Sequence, residues 1–311
     1  MTPRVTRISV GRSDWGGDLT LTLHEAEGDG DGPTVVLLAG VHGDEVAGVD
    51  YARRVFQTVA PKLTAGKFRV VPVANPIAYA HRLRAVDEDT GTYDLNRSFT
   101  LEPKSTAGRL AAILASEILD SCDVLIDLHH GAWGEAWGML GVPESGATAE
   151  PSDGLATAFG FPLLKRSNGV LGSATSYVRE HIGKATLSVC IGGSGFAQEL
   201  EESWRRWHVE GISRVLEHLG MLDGLQPPGE KVRAFTEAAT LVTTEPGMLV
   251  LDQVLLPGTV VEGGQRLGAV IDPYDFTELE ELIAPASGTC YATTREGPIR
   301  RGRFVASIAR L

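Results

Sequence analysis

The chain has 311 residues, of which 43% are hydrophobic and 22% charged, enough to bury a sizeable core in one large domain or two. Its net charge of −12 disfavours nucleic acids and anionic membranes as partners. Its three scattered cysteines form no disulfide framework and suit a reducing cytosol. Since we find no signal peptide and no apolar run near the ~20 residues of a membrane helix, we expect a cytoplasmic protein.

The first two thirds of the chain alternate between strand-like and helix-like patterns. Short β-branched runs predict strands, and apolar residues three and four apart predict helices. The predicted strands are Val5–Val10, Leu19–His24, Thr34–Ala39, Phe68–Val73, Asp123–Leu128 and Ala185–Ile191. The predicted helices are one that follows Glu45, Lys104–Ser121, Ser173–Ile182 and Leu200–Leu219. This alternation predicts an α/β fold, with a mixed, mostly parallel sheet and helices on both faces.

Two stretches are harder to place. His81–Tyr93 is polar and charged and predicts a long loop. Ala132–Gly172 is rich in glycine and proline, and only fragments of structure can be predicted there.

The last part of the chain has no helical pattern. A proline- and glycine-bearing linker, Leu225–Gly229, separates domain 1–228 from an all-β module, 229–311. Its glycine-rich turns resemble those of the biotinyl/lipoyl-type β-sandwich. A carrier domain needs a lysine to modify, and no lysine follows Lys231. We therefore expect a structural or access-controlling module.

The turn Gly40–Glu45 lies between a predicted buried strand and a helix, where open α/β sheets bind ligands. His42 and Glu45 offer an imidazole nitrogen and a carboxylate, which suit Zn²⁺. The two residues alone are equally consistent with a solvated turn and a helix cap.

His129 is a candidate third ligand at the end of another predicted strand. Parallel strands bring their ends to one edge of a sheet, so His42, Glu45 and His129 can converge. Two histidines and one carboxylate, with a position left for water, are typical of catalytic zinc. His130 should point the other way along the extended chain and support the site from outside. On its own, His129 could equally be a core or loop histidine.

A further polar segment, Asp94–Phe99, contains Asn96 and Arg97. The planar guanidinium of Arg97 matches a carboxylate, and Asn96 can complete the contact. In isolation, an ordinary surface ion pair explains the segment better.

Five segments occur in the order of a known family. They are Gly40–Glu45, Asn75-Pro76, Asp94–Arg97, Asp127–His129 and Gly192-Gly193. In these the chain resembles the succinylglutamate desuccinylase/aspartoacylase family, a branch of the zinc carboxypeptidase fold.

The resemblance implies a role for each matching position. His42, Glu45 and His129 would bind zinc, Arg84 would polarise the scissile carbonyl (Arg82 lies close enough to be confused with it), and Asn96 and Arg97 would hold a substrate carboxylate. The implied reaction is the hydrolysis of a small N-acyl amino acid by a zinc-activated water. A homo-oligomer is left open.

The chain departs from the family pattern at two places. Phe99 is followed by Thr100-Leu101 rather than Pro-Gly, and Cys190 stands where the family has a general-base glutamate. Cys190 could be a catalytic base or acyl-transfer nucleophile, a fourth zinc ligand that closes the site, or inert. Glu135 is a candidate substitute base. The alternatives to hydrolysis of N-acyl amino acids are a zinc-binding protein with lost or altered chemistry and a peptide carboxypeptidase.

Overall fold

The computed structural model describes residues 3–13, 16–88, 91–224 and 229–311. The α-helices are Ala47–Val59 (α1), Pro76–His81 (α2), Thr106–Leu114 (α3), Ala149–Phe159 (α4), Ala174–Tyr177 (α5) and Gln198–His218 (α6). The strands are Arg4–Arg12 (β1), Asp18–Glu27 (β2), Gly30–Leu38 (β3), Ala65–Val71 (β4), Val86–Glu88 (β5), Gly91–Tyr93 (β6), Val124–His129 (β7), Glu135–Val142 (β8), Leu163–Arg166 (β9), Ala185–Gly193 (β10), Arg233–Phe235 (β11), Ala238–Val242 (β12), Gly247–Leu251 (β13), Val260–Val261 (β14), Arg266–Ile271 (β15), Glu278–Ile283 (β16), Gly288–Thr294 (β17), Gly297–Ile299 (β18) and Phe304–Ala309 (β19).

The predicted α/β class is confirmed, and the main sheet is mixed. Its strand order is β1-β2-β4-β3-β7-β10-β8-β17-β19-β12, and β9, β11 and β14 pair alongside. The central strands β4, β3, β7 and β10 run parallel to their neighbours in that group. The adjoining strands β2 and β8 run antiparallel to it. The four parallel strands therefore bring their C-terminal ends to one edge of the sheet.

Strand β3 shows how the sheet separates two cores. Val35 and Leu37 pack with α1, α4 and α6 on one face. Val36 and Leu38 pack with α3 and α5 on the other. All four side chains are fully buried, and successive side chains of a strand point to opposite faces. The sequence of a strand that is covered on both faces is therefore an unbroken run of apolar residues.

Two regions differ from the sequence prediction. The predicted loop over His81–Tyr93 is wrong at both ends, because α2 extends to His81 and β5 pairs with β6 as a hairpin. Residues 89 and 90 lie outside the described residues. The region Ala132–Gly172 contains the ordered elements β8, α4 and β9. Helix α4 was not predicted because it contains Pro151 and Gly154, which are unfavourable inside helices. The proline lies in the first turn, where it removes no helical hydrogen bond.

The C-terminal module contributes strands to the main sheet. Strand β17 pairs with β8, so that Ala292 lies opposite Trp137. Strand β11 pairs with β9, so that Phe235 lies opposite Lys165. Strands β16, β15, β13 and β18 form a second sheet. The similarity to a biotinyl/lipoyl sandwich stays a prediction.

The predicted linker falls almost entirely on residues 225–228, which the structure does not describe. The division into 1–228 and 229–311 therefore stays a prediction. None of the described helices is both long and apolar enough to cross a membrane.

Candidate metal centre and active site

The turn after β3 brings two polar side chains to the edge of the sheet. Gly40 has a positive φ of 61°, which begins the turn. A Cβ at Gly43 would lie 2.0 Å from the backbone carbon of Ala78, so only glycine allows the turn to pack against α2. His42 and Glu45 are both buried there, at 3% and 7% exposure.

His129 reaches the same point from the neighbouring strand. Strand β7 runs parallel to β3, with Asp127 in register with Leu38, and His129 is its last residue. Nδ1 of His42 lies 2.7 Å from Glu45 Oε1, and Nδ1 of His129 lies 3.0 Å from Glu45 Oε2. One potential ligand atom from each of the three residues lies within 4.8 Å of the others. The predicted convergence is therefore present in the fold.

The outer nitrogen of each histidine has a carboxylate partner. Nε2 of His42 donates to Asp94 Oδ1 at 3.2 Å, and Nε2 of His129 donates to Asp127 Oδ2 at 3.0 Å. Such partners fix the ring orientation and the tautomer, and they make the inner nitrogen more basic. Both Nδ1 atoms are thus aimed at one position beside Glu45. Two imidazoles and one carboxylate in this arrangement fit a zinc ion and leave it an open position.

The electrostatics of the group favour charged side chains. Burial lowers the pKa of His42, but the charge of Glu45 and hydrogen bonds from Asp94 and Glu45 outweigh it, and the net pKa is raised. The pKa of His129 is also raised. Burial lowers it, but the charge of Asp127 and then that of Glu45 outweigh the effect of burial. Burial raises the pKa of Glu45, but the two histidines lower it more, so the carboxylate stays ionised. A divalent cation would replace those protons as the countercharge.

His130 is not part of the group. Its Nε2 accepts a hydrogen bond from the Gly48 N–H at 2.9 Å, and its Nδ1 donates to the Gly131 carbonyl at 2.6 Å. Burial lowers its pKa, so the ring is neutral with both nitrogens engaged. Its backbone N–H lies 3.3 Å from Glu45 Oε2 and helps to orient that carboxylate.

The predicted arginines and asparagine lie beside the group. Arg84 is 51% exposed at its side chain and approaches Glu45 at 3.7 Å and Asp94 at 3.4 Å. Asn96 accepts from the Ala174 N–H at 3.0 Å, and its amide nitrogen lies 3.3 Å from His129 Nε2. Arg97 is exposed and donates to the Asn96 carbonyl at 2.7 Å.

All seven predicted site residues line one cavity of about 230 Å³. They are His42, Glu45, Arg84, Asn96, Arg97, His129 and Cys190. Sequence reasoning did not assign Trp137, Thr175 or Ser188, which also line it. Sequence reasoning also gave no role to Asp127. Residues two apart on a strand lie on the same face, so Asp127 could have been expected beside His129.

Cys190 lies on β10, in register with His129 on β7. Among the residues described, its sulfur does not belong to the group of ligand atoms. Burial raises the pKa of the thiol to about 11, so it keeps its proton at neutral pH. The structure thus places the thiol beside the candidate ligand group, and the choice among the three roles stays a prediction.

The candidate substitute base and the altered loop after Phe99 both lie outside the cavity lining. Glu135 is buried beside Arg303 of the C-terminal module and does not line the cavity, which argues against its role as a substitute base. Phe99 is buried, and its N–H donates to the Gly172 carbonyl at 3.0 Å. The altered loop is therefore held to the segment before α5.

Asp127→Asn is expected to weaken zinc binding by about 10- to 100-fold, because the amide is a poorer acceptor for His129 Nε2–H than the carboxylate. Zinc affinity measured by competition with a chromophoric chelator tests this. Asp153→Asn is the control, since Asp153 pairs with Arg166 and does not line the cavity. Equal affinities in the wild type and Asp127→Asn would remove Asp127 from the support of the site.

The comparison with known families decides the relationship. The succinylglutamate desuccinylase/aspartoacylase catalytic domain matches residues 31–219. The chain belongs to this family. The N-alpha-acetyl-L-2,4-diaminobutyric acid deacetylase of Halomonas elongata, a relative, is 28% identical over 292 residues, which cover 90% of this chain and 80% of that protein.

Solved structures of this family share the fold over nearly the whole chain. A succinylglutamate desuccinylase/aspartoacylase from Rhodobacter sphaeroides superposes with a TM-score of 0.83 at 24% identity, and the match covers 99% of this chain and 95% of that one. The product-bound ectoine utilization protein EutE (DoeB) of Ruegeria pomeroyi gives 0.84 at 23% identity, with the same coverage of 99% and 95%. The C-terminal strands are therefore part of an architecture found in other members.

Proposed function

We propose that the protein is a zinc-dependent amidohydrolase that removes the acyl group from a small N-acyl amino acid. The observation that carries the proposal is the convergence of His42, Glu45 and His129 within 4.8 Å, in a cavity also lined by Arg84 and Arg97. Membership of a family of desuccinylases and aspartoacylases supports amide deacylation. The deacetylase relative from Halomonas elongata supports an N-acyl amino acid as substrate.

The candidate ligands, their carboxylate partners and the arginines each have a physical task in this reaction. His42, Glu45 and His129 would hold a zinc ion, which would supply Lewis acidity for the amide carbonyl and the attacking water. Asp94 and Asp127 keep both imidazoles oriented, which preserves the geometry during turnover. Arg97 carries a fork of donors at the exposed rim, where it can bind the carboxylate of the amino acid.

Arg84 is placed to stabilise negative charge on the carbonyl oxygen. Its guanidinium lies 3.7 Å from Glu45 and is only half buried, so it can turn toward a substrate oxygen above the ligands. Charge on that oxygen develops in the transition state, and preorganised donors lower the barrier there. The residue should therefore act on kcat more than on KM.

Arg84→Ala is expected to lower kcat by about 10²- to 10³-fold with a smaller rise in KM, the usual cost of losing one such donor. Steady-state kinetics on an N-acyl amino acid would measure both constants. Arg82→Ala is the matched control, because Arg82 ends α2 in a left-handed conformation, is exposed and does not line the cavity. A rise in KM alone would make Arg84 a positioning residue.

A second reading is a zinc-binding protein with little hydrolytic activity. Among the described residues that line the cavity, the acids are Glu45 and Asp127. Glu45 is a candidate metal ligand, and Asp127 is hydrogen-bonded to the candidate ligand His129. A general base is thus missing from the position where the family has glutamate. Assays of zinc-loaded protein on a panel of N-acyl amino acids, with release of the amine as the readout, separate the two readings. Turnover by the wild type supports the hydrolase. Turnover by Cys190→Glu alone supports the second reading, and its absence in both proteins would overturn the proposed hydrolysis.

A further inference from the structure

An aromatic side chain lies on the β8 side of the cavity at the metal group. Trp137 lines the cavity and lies on β8, in register with Gly192 of β10. Further back on β10, Cys190 is in register with His129 of β7. Neighbouring strands lie about 4.8 Å apart, so β8 is roughly 10 Å from the strand that carries His129. Trp137 is therefore separated from the candidate metal ligands by the width of β10.

The polar residues that line the cavity lie on the side of β7. The amide nitrogen of Asn96 lies 3.3 Å from His129 Nε2, and Arg97 donates to the Asn96 carbonyl. Arg84 approaches Glu45 at 3.7 Å. The cavity therefore runs from a rim of arginines beside β3 and β7, across the candidate metal ligands, to the indole ring at β8.

The order of these groups sets the direction of a bound N-acyl amino acid. A trans amide extends its two substituents in opposite directions. With the amide at the candidate metal ligands and the amino-acid carboxylate at Arg97, the acyl group points toward Trp137. The cavity has a volume of about 230 Å³, roughly the share of eight water molecules in the liquid. Little room therefore remains beyond an acetyl group.

The C-terminal strands hold Trp137 in place. Strand β17 pairs with β8, which sets Ala292 opposite Trp137. The indole makes a T-shaped contact with the ring of Phe304 on β19, and the two centroids are 6.2 Å apart. It also packs against an apolar cluster that contains Cys190 and Tyr291. Because a close-packed interior leaves few voids, the indole cannot move aside without breaking these contacts.

An adjoining cavity beside Cys190 and Val170 does not suit an apolar chain. Its lining includes the cations Lys165 and Arg179. Removing water from a charged group without giving it a new partner costs free energy. A longer apolar acyl group therefore gains no favourable alternative to the space that Trp137 occupies.

We propose that Trp137 limits the length of the acyl group, so that the protein removes acetyl and similarly short groups and rejects longer ones. The inference rests on the proposed deacylase function and names its substrate class. Removal of the indole extends the cavity toward Phe304 and β17. A longer apolar acyl group should then bind more tightly, by about fourfold for each methylene that becomes buried. The C-terminal module takes part in selecting the substrate, because its strands hold Trp137.

The test compares acyl groups of increasing length on one amino acid. N-acetyl, N-butanoyl and N-hexanoyl derivatives are made of the amino acid that the panel described above hydrolyses fastest, or of L-alanine if it hydrolyses none. The measurement is kcat/KM for zinc-loaded wild type, Trp137→Phe and Trp137→Ala, and dissociation constants from titration calorimetry replace it where there is no turnover. In the wild type we expect acetyl to be preferred over hexanoyl by about 10- to 200-fold, the range in which hydrophobic pockets discriminate by size.

The variants assign the preference to the indole. Trp137→Ala should bring the ratio of acetyl to hexanoyl to one or reverse it, and Trp137→Phe should give an intermediate ratio. A ratio between two ligands does not change when part of a variant is unfolded, so lost stability cannot imitate the result. Trp133→Ala is the matched control, since Trp133 is 74% exposed and does not line the cavity. Its ratio should equal that of the wild type.

The outcomes separate this inference from the function on which it rests. Turnover with the same ratio in the wild type and Trp137→Ala, or a wild type that accepts acetyl and hexanoyl equally, would overturn the role of Trp137 and leave the deacylase intact. A Trp137-dependent preference in binding, with no turnover of any N-acyl amino acid, would support the role of Trp137 and overturn hydrolysis. Failure of all three derivatives to bind either protein would contradict both.

Discussion

Replacing Cys190 with glutamate is expected to raise kcat for amide hydrolysis by about 10²- to 10⁴-fold, the usual contribution of a positioned general base. Cys190 lines the cavity next to the metal group, and burial raises the pKa of its thiol to about 11. The thiol therefore keeps its proton near pH 7. A carboxylate at the same place on β10 could take a proton from the attacking water and deliver it to the leaving amine. Burial would also raise the pKa of that glutamate toward neutrality, where it works best.

The measurement is kcat for zinc-loaded wild type, Cys190→Glu, Cys190→Gln and Cys190→Ala on one N-acyl amino acid. Cys190→Gln has nearly the shape of the glutamate without its charge and should stay near the wild type. Cys190→Ala should also stay within a few-fold of the wild type if the thiol is inert. Loss of activity in all three variants would show instead that the sulfur itself takes part in the reaction.

Removing one ligand of the metal group should have the largest effect on the whole protein. His129→Ala leaves Glu45 and His42 alone, and two ligands do not hold Zn²⁺ in a stable site. We expect the zinc content to fall from about one ion per chain to nearly none, because catalytic zinc needs three protein ligands. Amide hydrolysis should fall with it to the level of the metal-free protein.

Elemental analysis after extensive dialysis measures the bound zinc, and the amine-release assay measures activity in the same samples. His218→Ala is the control, since His218 lies exposed at the end of α6, outside the cavity. Full zinc content in His129→Ala would mean that the ion is held elsewhere, and the proposed centre would be wrong.

The local pattern was enough for the central strands of the sheet and for the three candidate ligands. Apolar β-branched runs predicted β3, β7 and β10 because strands covered on both faces must be apolar throughout. The histidines and the glutamate came directly after such runs. Parallel neighbours end at one edge, so the convergence of His42, Glu45 and His129 could be inferred before any coordinate was known.

The partners of those residues depended on contacts between distant parts of the chain. Asp94 lies 52 residues from His42, and Arg303 approaches Glu135 from the C-terminal module. Neither pair can be recognised from the periodicity of the sequence, because each contact depends on how loops and the edges of the sheet pack together. Local patterns also hid α4, β8 and β9, where glycine and proline mask their periodicity.

The sequence by itself determined the central strands with their flanking helices, the candidate metal-binding residues and the family resemblance, because each follows from periodicity or from short ordered motifs. Only the tertiary structure decided that Glu135 is buried beside Arg303 and away from the cavity, and that Cys190 is buried next to the candidate metal ligands. Burial and pairing are properties of the space around a side chain. That space is formed by strands that are adjacent in the sheet and more than a hundred residues apart in the chain, as β8 and β17 are.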